Sequence, residues 1–160
     1  MAYGLRGSNI QVNAFLDDGS DSTYVRDDIA TALGLETDEQ TLRLTTLTES
    51  CISLKSKKVS LTIKSLNGET QSSIEAWTLN EICQGLSIPD WNQRKVKWEH
   101  LKNIPFPKGP GRKMIDILIG SDHPELMLAL IECYNAIRAP VAQKRLWGGP
   151  VLDIFPHFLQ

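Results

Sequence analysis

The residues best suited to chemistry stand together near the start of the chain. Asp17-Asp18-Gly19-Ser20-Asp21-Ser22 follows directly on the apolar run Ala14-Phe15-Leu16. Carboxylates, a glycine and hydroxyls at the end of an apolar stretch can act in several ways. They can form a solvated turn, because Asp-Gly is a common turn dipeptide. They can hold a hard cation through oxygen, since Asp18 to Ser22 fits the Asp-x-Ser-x-Ser pattern of a Mg²⁺-dependent adhesion-type site. One carboxylate can also activate water for hydrolysis. A calcium loop counted from Asp17 fails, because Gly19 falls on a ligand position and Ser22 on the required glycine. A phosphatase-type Asp-x-Asp-Gly-Thr nucleophile fails because its first aspartate would be Leu16.

The elements that must position this segment follow from hydrophobic spacing. Asn9–Leu16 reads as a strand entering the interior. Val25, Ile29, Ala30 and Leu33 recur at helical spacing, which predicts a short helix over Arg26–Leu33 ended by Gly34. Residues 40–65 are rich in Thr, Leu, Val and Ser with period-two stretches (Leu42, Leu44; Val59, Leu61, Ile63), which predicts at least two strands. Asn67-Gly68 is a hairpin signal that would join Lys58–Leu66 to Glu69–Leu79. Residues 85–110 hold four prolines, with Trp91 and Trp98 between them. They read as a long connection with one helical turn near Trp98–Leu101. Met114–Ile119 reads as a buried strand ended by Gly120. Pro124–Tyr134 reads as a helix with Asp122 as N-cap. Residues 140–160 are broken by proline and glycine, so any strands there are short. This order is mainly β with one or two short helices. It lacks the strand–helix alternation of the doubly wound fold on which the Mg²⁺ adhesion-type site sits.

Length and composition set the frame. The 160 residues suit one domain and can bury a core without disulfides or metal. The net charge of −2 carries no nucleic-acid footprint, and the run Lys55, Lys57, Lys58 reads as a solvated strand face. Cys51, Cys83 and Cys133 are widely spaced, with no Cys-x-x-Cys pair, and read as reduced thiols. The stretch Met1–Gly7 does not look like a signal peptide, and Leu126–Ile131 is too short to span a bilayer. The chain is expected to be soluble, and both ends look cut, as in a piece of a polyprotein.

The acidic segment resembles a known family. Aspartic proteases end a strand with two apolar residues followed by Asp-[Ser/Thr]-Gly, and Phe15-Leu16-Asp17-Asp18-Gly19 is similar, with Asp18 in place of Ser or Thr. The retropepsin-like group adds an apolar strand, a glycine and a short helix, and Ile117-Leu118-Ile119-Gly120-Ser121-Asp122 followed by Glu125–Tyr134 resembles that. Leu16 to Val25 with Leu33-Gly34-Leu35, and Trp98-Glu99-His100-Leu101 leading to Ile115–Asp122, resemble the peptidase of Pao/Bel-type retrotransposons in particular. The resemblance covers roughly residues 9–141. It implies a closed retropepsin-like β-barrel at 9–141, after an N-terminal extension at 1–8. Residues 142–160 would be a C-terminal tail at the dimer interface.

Hydrolysis by this class needs two carboxylates sharing one proton, and close carboxylates cannot both ionise. The chain supplies one turn of the required type, since neither Asp116 nor Asp122 is followed by glycine. The resemblance therefore implies a homodimer with one Asp17 from each copy. Asp17, Gly19 and Ser20 form the expected catalytic set. Gly19 allows close backbone approach, and the Ser20 hydroxyl is expected to donate to the outer oxygen of Asp17. Asp18, Ile119 and Gly120 are expected to support the turn. The substrate flap falls on Leu42–Leu54, with Thr45, Thr46, Leu47 and Thr48 facing the peptide, although this stretch has no glycine. The resemblance further implies a retroelement polyprotein as substrate and no cofactor or metal. It implies no nucleic-acid or membrane partner, and a cytoplasmic or virus-like-particle location. The different-class alternative is a catalytically silent module for dimerisation or peptide binding. Asp18, the glycine-free flap and the order Leu146-Trp147-Gly148-Gly149 in the tail all keep that alternative in view.

Overall fold

The computed structural model describes residues 1–4, 7–45, 51–133, 135 and 140–145, and the backbone of 150–153. The chain is mainly β, with a strongly curled half-barrel sheet. Its strands are β1 (Ala2–Tyr3), β2 (Asn9–Ile10), β3 (Ala14–Leu16), β4 (Tyr24–Arg26), β5 (Glu39–Thr45), β6 (Cys51–Lys64), β7 (Gln71–Leu79) and β8 (Ile117–Ile119). They run in the order β2-β1-β6-β7-β4-β8-β3, with β5 paired to β6. The two ends of this order, β2 and β3, are joined by residues 11–13 alone. Those residues span at most about 14 Å, so the edges are brought toward each other and the sheet must curl.

The curl has a packed interior. Val59, Leu61 and Ile63 on β6, and Ile74 and Ala76 on β7, alternate inward with polar neighbours outward. The helix α1 (Asp27–Ala32) places Ile29 and Ala30 in the same cluster, together with Leu33, Ile117 and Ile119. Gly34 lies just past this helix at φ 70°, a conformation glycine adopts freely. The Asn67-Gly68 hairpin forms as expected, with β6 and β7 antiparallel from Lys58↔Trp77 to Lys64↔Gln71.

Residues 51–57 of β6 pair only with β5, from Glu39↔Lys57 to Thr45↔Cys51. This second hairpin carries the expected flap. Leu42, Leu44 and Leu54 join a separate apolar cluster with Tyr24, Ile82, Ile115 and Leu118.

The helix expected over Pro124–Tyr134 is largely absent. Only α3 (Pro124–Met127) is helical, and Ala129–Cys133 is the strand β9. Two causes are visible. Asp122 does not cap the helix, and the actual N-cap His123 makes no side-chain cap bond. The backbone of 129–133 instead pairs with β10 (Val141–Arg145), which also pairs with β11 (Pro150–Asp153). Tertiary pairing thus overrides a helical periodicity of only three turns. The connection between β7 and β8 contains α2 (Trp91–Arg94) and two 3-10 turns, Lys95–Lys97 and Glu99–Leu101. Its Leu101 and Phe106 pack with Ala142 of β10. His100 Nε2 donates to the Pro140 carbonyl at 2.9 Å, docking the small sheet onto this connection.

Candidate functional site

The acidic segment is the crossing loop between β3 and β4, and its two arms do not pair with each other. The strand β8 lies between them, parallel to β3 (Leu16↔Ile119) and antiparallel to β4 (Tyr24↔Leu118). The loop therefore passes over the end of β8, and the residues after that strand hold it from behind. Asp17 N–H donates to the Ile119 carbonyl at 2.9 Å. Ser121 donates to the Ser20 carbonyl through both its N–H (2.8 Å) and its hydroxyl (2.9 Å). Gly120 has no room for a side chain, since a Cβ there would lie 2.5 Å from the Ser22 oxygen and 2.9 Å from the Ser20 oxygen. The Ile119 carbonyl thus holds the first residue of the loop, and Gly120 packs directly against the loop's carbonyls.

Two supporting residues were not legible in the sequence. Thr23 is fully buried, and its N–H and hydroxyl donate to the Asp122 carboxylate at 3.0 and 2.6 Å. The same hydroxyl accepts the Gly120 N–H at 3.0 Å. Asp122 sits two residues before a proline-led helix, and that placement masked its link to Thr23, which lies 99 residues earlier.

Within the loop, Asp17 is half-buried, and Asp18 and Gly19 are exposed. The Gly19 N–H donates to Asp17 Oδ1 at 3.0 Å, and the Ser20 N–H donates to the Asp17 carbonyl at 3.2 Å. The Ser20 hydroxyl does not reach Asp17. It donates to the Ser22 carbonyl at 2.8 Å, because the tight turn directs it along the loop rather than back to the carboxylate. The donor to the Asp17 carboxylate is therefore the Gly19 backbone amide.

Cys83 adjoins the site. It follows β7 with φ 52°, and its thiol is held above its ordinary pKa, first by burial and then by the Asp17 charge. Cys83 packs against the cluster that contains Leu42 and Ile82, so Asp17 and the apolar face of the β5–β6 hairpin border one region. Of the flap residues, Thr45 is exposed at the end of β5, and Thr46, Leu47 and Thr48 lie outside the described residues.

A buried ionic cluster anchors the base of β3 and β8. Asp116 is fully buried and takes Arg112 Nε at 2.8 and 3.0 Å, the Asn13 N–H at 2.8 Å and Arg26 at 3.5 Å. Asn13 also donates to the Arg112 and Met114 carbonyls, fixing the chain just before Ala14. Among the described residues no group of three or more His, Cys, Asp or Glu side chains is arranged to hold a metal ion. The Ser20 and Ser22 hydroxyls both donate within the loop. Comparisons with protein-family models, curated proteins and solved structures gave no match to this chain.

Proposed function

We propose that the chain is one subunit of a homodimeric aspartic endopeptidase of retropepsin type, acting on a retroelement polyprotein, with the curled sheet completing a closed barrel. The single observation that carries this reading is the Asp17 carboxylate itself. It is half-exposed at the head of a glycine-containing turn, bonded to the Gly19 amide, and braced across the end of β8. In the dimer, two such carboxylates meet. One stays ionised and takes a proton from water, and the other, protonated, gives its proton to the peptide carbonyl. The β5–β6 hairpin would cover the bound peptide. A surface for the second copy is available at β9, an edge strand among the described residues, where Leu130 and Ile131 are exposed at 57% and 61% and Leu128 just before it at 57%.

One observation favours a second reading, a silent module for dimerisation or peptide binding. Asp18 is exposed beside Asp17, where the resembling family carries a hydroxyl. A peptide-library cleavage assay from acid to neutral pH separates the two. Cleavage by the native chain that is lost in a folded, dimeric Asp17→Asn variant supports the protease. No cleavage by either protein, at concentrations where dimer is demonstrated, supports the silent module.

A further inference from the structure

We infer that the connection between β7 and β8, residues 88–113, is a docking track for single-stranded nucleic acid. The whole-chain charge of −2 averages two unequal regions. Residues 91–113 hold seven of the 17 Lys and Arg but only one of the 19 Asp and Glu. This stretch folds back on itself as an antiparallel ribbon. Ile88 N–H donates to the Lys113 carbonyl at 2.8 Å, Asn92 Nδ2 to the Phe106 carbonyl at 3.2 Å, and Lys95 Nζ to the Ile104 carbonyl at 2.6 Å. Its base is tied to the body through Gln11, whose side chain donates to the Lys108 carbonyl at 2.6 Å.

Internal partners account for three of the seven cations. Lys102 pairs with Glu99, Arg112 pairs with Asp116, and Lys95 donates to Ile104. Arg94, Lys97, Lys108 and Lys113 are exposed, and no carboxylate among the described residues forms an ion pair with them. The ribbon pairing sets Lys113 and Lys108 toward its base and Arg94 and Lys97 toward its far end. An extended polyanion matches that spread better than a single phosphate does. Trp91 and Trp98 lie in the same stretch and pack on the Leu101, Phe106 and Ala142 cluster, yet each is only half-buried, so part of each indole is left for a base to stack on.

Duplex recognition fits poorly, because α2 has four residues and the described connection between β7 and β8 contains no β-strand to enter a groove. A membrane surface also fits poorly, since Val96 is the one large apolar side chain strongly exposed between 91 and 113. The inference does not rest on the protease reading.

Fluorescence anisotropy with a labelled oligouridylate tests it, over a series of salt concentrations. Four phosphate contacts give a slope of log K against log salt of about −3 for a single strand. Arg94→Glu with Lys97→Glu, or Lys108→Glu with Lys113→Glu, should each weaken binding at least about tenfold and reduce the slope to about −1. Arg43→Glu with Lys55→Glu, on the β5–β6 hairpin, should leave both unchanged. Circular dichroism of each variant confirms folding, and Gln replacements at the same sites give a milder loss in the same order. No binding at low salt would overturn the inference. So would equal loss in the hairpin variant, or tighter binding to polyglutamate or phosphatidylserine vesicles than to RNA.

Discussion

At the scale of residues, Cys83 reports on Asp17. Burial first, and the Asp17 charge second, hold the Cys83 thiol protonated above its ordinary pKa of 9.0. Because the folded value is raised, this contribution to stability is present below the ordinary value and is lost as pH rises through the folded one. Asp17→Asn removes one of the two causes, so Cys83 should form thiolate at lower pH. Alkylation by iodoacetamide near pH 9, mapped to Cys83 by mass spectrometry, should be faster in the variant, while Cys51 stays unchanged. An unchanged Cys83 rate would separate the two residues. Gly120 carries a different constraint. Ala at this position places a methyl against the Ser22 and Ser20 carbonyls, and chemical denaturation should show a loss of about 1–3 kcal/mol. These residues differ in legibility. Asp17 and Gly120 announce themselves by type and by adjacency to apolar runs. Cys83 and Thr23 do not, because their importance comes from contacts across long sequence separations.

At the scale of elements, the parts with a clean period were legible and the parts decided by distant pairing were not. The alternation of Val59, Leu61 and Ile63 and the Asn67-Gly68 turn specify the β6–β7 hairpin locally. The stretch 124–133 has helical spacing yet becomes a short helix and a strand, because β10 supplies hydrogen-bond partners that local sequence does not reveal. The insertion of β8 between β3 and β4 is equally invisible to periodicity, although it fixes the site. Asp116 holds that insertion at its base, pairing β8's entry with Arg112, Arg26 and the amide before β3. Asp116→Ala leaves the partly buried Arg26 and Arg112 and the buried Asn13 N–H without their carboxylate, and urea unfolding should show a loss of about 3 kcal/mol. A loss well under 1 kcal/mol would mean the cluster does not anchor the strands.

At the scale of the whole molecule, the catalytic reading requires a second copy. Asp18 then brings two further carboxylates near the two-fold axis, where like charges repel when ionised. The dimer should therefore be tighter at acid than at neutral pH by sedimentation velocity, and the reverse order would contradict this arrangement. The exposed β9 edge gives a second handle, since Ile131→Lys should weaken the dimer while leaving the curled sheet folded. The most direct measurement mixes native chain with Asp17→Asn at fixed total concentration and follows peptide cleavage after subunits have exchanged. If each active dimer needs one Asp17 from each copy, an equal mixture retains about one quarter of the native rate, the share of dimers with two native subunits. Retention of about half the rate, as for independent single-chain sites, or cleavage by the variant alone, would contradict a shared pair of Asp17 carboxylates.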